Sequence, residues 1–284
     1  MKYQFLFLFL CVGLLSCQKD TDDQTDPNAA ISQTNIAYGS DPAQRMDMYL
    51  PANRTTASTK VMVLIHGGGW SSGDKSDFAL YIDSLKKRLP DYAIFSINYR
   101  LNAGSVNTFP TQENDVKSAI EFIYGKRSEY KTSDKFVLLG ASAGGHLALL
   151  HGYKYTTPVK VKAIVSFFGP TDMTEMYNNP ASIFAPPSAV AQVVGATPTS
   201  NPTLYQQSSP VTFANATSPA TILLHGGADP LVSPSQAVAL DNKLQAMGAT
   251  HQYVFYPSES HGWTGANLTH SFNAIQLFLE THVN

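Results

Sequence analysis

A serine, an aspartate and a histidine, each set in a glycine-rich turn, occur in that order along the chain: GASAGG at Gly140 to Gly145, HGGADP containing Asp229, and ESHGW containing His261. A fourth segment, HGGGW at His66 to Trp70, precedes them. Side chains of these three types can pass a proton from a hydroxyl to an imidazole that a carboxylate orients, which is the chemistry of an activated nucleophile. A run of glycines adds main-chain N–H groups that reach a developing oxyanion with no side chain in the way.

Ser142 directly follows an apolar run ending at Leu139 and directly precedes the helix-like HLALL, so the spacing predicts a strand, a tight turn and a helix, with the hydroxyl at the helix amino terminus. Gly67 and Gly68, after the strand-like VMVLI, and Ala143, after the serine, are the expected oxyanion donors. His66 reads as a hydrogen-bonding brace of that loop. Asp229 follows TILLHGG and sits where a carboxylate can orient the base; Asp172, after FFG, is its rival and otherwise a helix cap. Asp115 and Glu259 are expected to be structural. His261 lies in a polar, glycine-bounded loop after the last strand-like run, free to act as general base and then as acid. His151, His225, His251 and His270 lack that setting. No grouping of His, Cys and carboxylates has zinc-like spacing, so a metal is not expected. Trp70 and Trp263, the two tryptophans, each lie close to one of these motifs, where they would either wall a substrate or pack the core.

The elements that must position these residues alternate as short apolar runs and amphipathic stretches, which predicts an α/β fold with a mostly parallel sheet and helices on both faces. Asn35 to Tyr38 and Arg45 to Leu50 read as an opening antiparallel hairpin. Val61 to Ile65, Ala93 to Asn98, Phe136 to Leu139, Val161 to Phe168, Thr221 to Leu224 and Tyr253 to Tyr256 read as strands. Ser76 to Leu89, Asn114 to Lys126, Gly144 to His151, Ser235 to Met247 and Ala266 to Thr281 read as helices, with Pro90 and Gly248 as stop signals. Residues 170–216 break this rhythm; so long a segment is expected to form short helices over the mouth of the site as a partial lid.

The amino terminus carries a different message. Lys2 is followed by an apolar run from Phe5 to Leu15, about eleven residues where a membrane-spanning helix needs roughly twenty, and then by Leu14-Leu15-Ser16-Cys17. Residues 1–16 therefore read as an export signal, and the run resembles the lipobox of bacterial lipoproteins, with Cys17 the lipidated residue. Cys11 and Cys17 are the only cysteines, so the domain beyond them has no disulfide to form. Residues 17–33 read as an acidic, flexible tether that carries either a surface-sorting signal or no address, and residues 34–284 as one catalytic domain. The expected location is the periplasmic or outer face of a membrane. With a formal net charge of -2, 14% charged residues and no basic run, the chain lacks the electrostatic footprint of a nucleic-acid binder; small ester substrates fit better.

From about Thr34 to its end, the chain resembles the α/β-hydrolase superfamily, in particular the small esterase branch akin to hormone-sensitive-lipase-like and BD-FAE (feruloyl esterase-like) enzymes. HGGGW, NYRL at Asn98 to Leu101, FPTQENDV leading through Asp115, GASAGGHLA and HGGADPLVSPSQA carry the resemblance. It implies carboxylic-ester hydrolysis through an acyl-enzyme, with Ser142, Asp229 and His261 as the triad and no cofactor. The hormone-sensitive-lipase branch usually carries a substantial amino-terminal cap, whereas here only the tether and hairpin precede the first oxyanion strand, which favours the smaller esterases. The same architecture serves acetylxylan esterases, kynurenine formamidases and serine peptidases, so the fold does not name the substrate. The resulting expectation is a lipid-anchored serine esterase releasing acetyl or feruloyl groups from carbohydrate. A small serine peptidase, an arylformamidase and a catalytically dead hydrolase fold used for binding are the alternatives.

Overall fold

A computed structural model describes residues 28–284; the expected signal peptide, Cys17 and most of the tether lie outside the described residues. Eight strands form one sheet: β1 (Ile31–Ala37), β2 (Arg45–Leu50), β3 (Lys60–Ile65), β4 (Tyr92–Ile97), β5 (Phe136–Ala141), β6 (Ala163–Phe167), β7 (Ala220–Gly226) and β8 (His251–Tyr256). Their order is β1-β2-β4-β3-β5-β6-β7-β8. The first two pairings are antiparallel and all the others parallel. Crossover helices make this possible: α1 (Ala79–Arg88), α2 (Thr111–Gly125), the short α3 (Arg127–Tyr130), α4 (Ala143–Lys154) and α9 (Ser235–Met247), while α10 (Gly265–His282) follows the last strand.

Successive residues of a strand face opposite sides, so the near-continuous apolar runs feed two cores. On one face Val61, Val63 and Ile65 pack with Val116 and Ile120 of α2 and Leu147 of α4. On the other, Met62 and Leu64 pack with Leu85 of α1 and with Ile275 and Leu279 of α10. This two-sided burial holds the carboxyl ends of β3, β5 and β7 at one rim, where the glycine-rich turns emerge. Ile65 of β3 is in register with Gly140 of β5, which brings the HGGGW loop against the serine turn.

Several element ends differ from the sequence expectation by two or three residues, as where α2 begins at Thr111 and α4 runs to Lys154, and two differences have a clear local cause. β1 begins at Ile31, so residues 31–33, counted there with the tether, belong to the sheet. The strand is exposed and its register shifts between Gln33 and Ile36, around Asn35 at φ +62°, so a bulge erases the alternation that would mark it. The expected helix from Ser76 is divided: Asp74 caps a 3-10 turn over Lys75–Phe78, and α1 follows.

Residues 170–216 carry α5 (Met173–Asn178), α6 (Pro187–Val194), α7 (Pro202–Gln207) and α8 (Pro210–Phe213). Asp172 Oδ1 accepts the N–H groups of Thr174 and Glu175 at the start of α5, so this carboxylate serves as the helix cap. Gly195, left-handed at φ +86°, stops α6.

Candidate active site

The serine turn is built by close backbone approach. A Cβ on Gly140 would lie 2.1 Å from the carbonyl oxygen of Gly144, and one on Gly144 would lie 1.9 Å from that of Ile65. Only glycine fits at either place. Between them Ser142 takes φ +55°, ψ −121°, a conformation that costs a non-glycine residue about 1–3 kcal/mol and persists because its surroundings hold it. Its N–H donates to Phe167 O of β6 at 2.8 Å, and its carbonyl accepts from His146 N at 3.0 Å.

His261 arrives from the loop after β8. Gly226 and Gly227 let that loop press onto the end of β7: a Cβ on Gly226 would meet Ser260 O at 2.3 Å, and one on Gly227 would meet Pro257 O at 2.4 Å. His261 Nδ1 lies 2.7 Å from Asp229 Oδ2, and its Nε2 lies 2.9 Å from Ser142 Oγ. A carboxylate only accepts, so Nδ1 carries the proton and donates to Asp229. Nε2 is then an acceptor facing the serine O–H.

The Asp229 carboxyl has no exposed surface. Burial works to raise its pKa, but contacts with His225 and His261 and the Val232 N–H prevail and hold the carboxyl below the ordinary range. The amides of Leu231 and Val232 donate to Oδ1 at 2.8 and 3.0 Å, leaving Oδ2 to His261. His225 Nε2 donates to Val232 O at 2.9 Å and lies 3.3 Å from Asp229 Oδ2. The sequence reading set His225 aside as a base; its place beside the carboxylate was not foreseen. The HxxxD spacing off a strand end is the signal that could have found it.

In the HGGGW loop, Tyr99 stacks on His66 with ring centroids 4.3 Å apart, and its hydroxyl lies 3.0 Å from His66 O and 3.2 Å from Gly67 O. His66 Nδ1 donates to Gly67 O at 2.8 Å, as a brace would, and burial lowers its pKa, keeping it neutral near pH 7. Peptide planarity opposes each carbonyl to the next amide, so these contacts turn the Gly68 N–H away from Tyr99. The Gly68 carbonyl accepts from Ser71 and Ser72, which turns the Gly69 N–H the other way in the same manner. Gly67 packs against the serine turn, its notional Cβ 3.3 Å from Ser142 Cβ. Gly69, absent from the expected donors, lines the same cavity as Ser142.

That cavity has a volume of about 180 Å³ and is walled by Gly69, Trp70, α5, α6 and the turn after Asp229. Trp70 therefore stands beside Ser142. Its Nε1 donates to His146 Nδ1 at 3.1 Å, and His146 Nε2 donates to Ser208 O at 2.7 Å. Burial pushes the His146 pKa down to about 4, so a neutral imidazole joins the glycine loop, α4 and the lid. Trp263 does not line this cavity. It packs on Phe167, Phe168 and Tyr256, donates from Nε1 to Ser271 Oγ at 2.9 Å, and borders a separate aromatic cavity of about 120 Å³. Phe168, 4.4 Å from the His261 ring, stands between Trp263 and His261. Proximity in sequence misled here because Gly262, at φ +116°, reverses the chain after the histidine.

The two further carboxylates are structural, as expected. Asp115, wholly buried, accepts from Arg100 N at 2.8 Å, Arg100 Nη2 at 2.6 Å and Gln44 Nε2 at 2.7 Å. Glu259 Oε1 accepts from Asn267 Nδ2 at 2.5 Å. Among the described residues no group of three or more His, Cys, Asp and Glu side chains could hold a metal ion, and no helix is long and apolar enough to cross a membrane.

Known proteins resemble this chain over most of its length. The chain is 25% identical to Esterase LipC of Mycobacterium tuberculosis over 88% of its own length and 65% of that protein's. It is 30% identical to the probable carboxylic ester hydrolase LipM of the same organism, over 86% of this chain and 60% of LipM. It thus spans less than two thirds of the length of these two relatives. Among solved structures, a truncated carbohydrate esterase from gut microbiota superposes with a TM-score of 0.73 at 26% identity, covering 90% of this chain and 98% of that one. The fold is that of the α/β-hydrolases. The BD-FAE family profile matches residues 46–244, and with the serine turn, the histidine loop and the glycine loop assembled at one rim of this sheet, the chain belongs to the BD-FAE family.

Proposed function

We propose that this protein is a serine esterase that cleaves carboxylic esters through an acyl-enzyme. The observation that carries the reading is the unbroken hydrogen-bond chain from Asp229 through His261 to Ser142, in a turn whose glycines admit no substitute. Ser142 Oγ attacks the ester carbonyl carbon as His261 Nε2 takes its proton, and Asp229 stabilises the imidazolium. Charge gathering on the carbonyl oxygen meets the amides of the glycine run, Gly67 to Gly69, and of Ala143 at the start of α4. The imidazolium protonates the departing alkoxide as the C–O bond breaks, leaving the acyl group on Ser142. Water, deprotonated by His261, attacks that ester; the proton returns to Ser142 and the carboxylic acid leaves.

The proposed substrates are acyl esters of carbohydrate hydroxyls, a reading supported by the likeness to a gut-microbiota carbohydrate esterase at 26% identity. The uncharged lining of the cavity beside Ser142 speaks against an aminopeptidase, which needs a carboxylate to hold a substrate ammonium. The proposed placement is on a membrane through a lipid at Cys17, outside the described residues. Reaction of the purified chain with a fluorophosphonate probe and turnover of acetylated xylan, methyl ferulate and p-nitrophenyl esters test the reading. Labelling at Ser142 with ester turnover is the expected result; no labelling and no turnover overturns it.

A further inference from the structure

The cavity beside Ser142 has an unusual chemical uniformity. Besides Gly69 and Ser142 itself, its wall consists of apolar and aromatic side chains, among them Trp70, Met176, Phe184, Ala189, Val193 and Val232. None of these side chains is charged, and the indole N–H of Trp70, the one polar group among them, is already committed to His146. A sugar ring placed there would lose its hydrogen bonds to water and find no free side-chain partner beyond Ser142, at a cost of about 1–3 kcal/mol for each group left unpaired. An apolar chain would lose nothing. The volume matters as much as the polarity. At about 180 Å³ the cavity exceeds the ~150 Å³ that holds a benzene-sized ligand, so the single methyl group of an acetyl ester leaves most of it empty.

The wall has a definite construction. The segment between α5 and α6 is latched where Ser182 Oγ donates to Pro230 O at 2.6 Å, one residue past the triad aspartate. Beyond the latch, Ile183 and Phe184 are 87% and 72% exposed, yet Phe184 still lines the cavity. An aromatic side chain left so open to water at a cavity mouth lacks a partner that an apolar ligand would supply.

We infer that this cavity is the acyl-binding subsite, that it takes an uncharged, apolar acyl group of about four to eight carbons in preference to acetyl, and that Phe184 and α6 set the fit. The inference rests on the serine-esterase reading and narrows it. The alcohol, carbohydrate or otherwise, then lies outside, toward solvent.

The test is kcat/KM of the purified chain on p-nitrophenyl acetate, butanoate, hexanoate and the monoester of succinic acid, with fluorophosphonate labelling of Ser142 as a separate readout. Two added methylenes contribute about tenfold, so butanoate is expected about tenfold above acetate. Hydrogen succinate, the size of butanoate with one carboxylate and no cation to meet it, is expected about a hundredfold or more below butanoate. Ala189→Phe, at an exposed position of α6, fills the cavity and is expected to lower the butanoate-to-acetate ratio toward one; Phe184→Ala is expected to lower the ratio less. Acetate equal to or better than butanoate, succinate as good as butanoate, or a ratio that Ala189→Phe leaves unchanged in a folded protein each overturns the inference. Should Ala189→Phe fail to fold, the wild-type series and Phe184→Ala decide alone. Absence of labelling and of turnover on every ester would overturn the esterase reading itself, whereas labelling with an acetate preference would overturn only the acyl subsite.

Discussion

The serine turn and the lid are held in contrasting ways, although both border the same cavity. At the turn, main chain touches main chain: Gly140 meets Gly144, Gly144 meets Ile65, and Gly226 meets the histidine loop, all closer than a Cβ allows. In the lid, side chains make the joints, through Asp172 capping α5, Ser182 reaching Pro230, His146 reaching Ser208 and apolar packing of Val190 and Val193. Backbone contact leaves no latitude, so reacting atoms stay within hydrogen-bonding distance. Side-chain joints can be exchanged one at a time, so the lid is where selectivity can change without moving the chemistry.

The largest effect that would sharpen this comparison comes from the nucleophile. Ser142→Ala should lower kcat by about 10⁶-fold with the fold intact, read by steady-state kinetics beside a circular dichroism melt. Asp229→Asn should follow at about 10⁴-fold, because an amide in that place can present an N–H to Nδ1 and favour the wrong tautomer of His261. Gly144→Ala, a single methyl group, should destabilise the domain by about 3 kcal/mol or more, since the obstacle is the carbonyl of a central strand. A melting temperature within a degree of wild type would break the claim that backbone contact fixes the turn.

Acid should loosen the lid joint before it reaches the triad carboxylate. Burial holds His146 at about 4 and His151 at about 3, both below the ordinary histidine value of about 6.5. The unfolded chain therefore takes up protons first as pH falls. Stability from each group is fully present above about pH 6.5 and declines through about pH 4 and 3 respectively, by at most about 1.4 kcal/mol per pH unit per histidine. Urea melts between pH 7 and 4 should show that slope, and His146→Gln should flatten it. The depressed carboxyl of Asp229 works in the same direction at lower pH: its contribution, present above the ordinary carboxylate range, is lost as pH falls below it. The smallest effect belongs to the latch. Ser182→Ala removes one hydrogen bond worth about 1 kcal/mol, so a change of a few-fold in KM with kcat nearly constant is expected. An equal fall in kcat would mean that the lid positions the reacting groups after all.

Much of the site was legible because its signals are local. Strand, glycine turn and helix around Ser142 lie within some twenty residues, and a backbone that must pass so close can use only glycine there, so the motif records its own geometry. Ser142, Asp229 and His261 do meet, and Asp172 is the helix cap. Gly69 escaped notice because a run of glycines does not say which member faces the cavity, and His146 because a histidine in an apolar helix reads as packing. Trp263 was left between a substrate wall and core packing because distance along the chain does not show which way a side chain faces; a left-handed glycine turns it behind Phe168.

By itself, the sequence determined the alternation of strands and helices, the turns that only glycine can make and the order of the three reacting side chains, since each depends on neighbours a few residues away. Tertiary structure alone decided that Tyr99 braces the glycine loop, and that lid residues from 170 onward wall a largely apolar cavity above Ser142. These are contacts across tens of residues, set by how helices pack on a twisted sheet, and no short-range pattern encodes them.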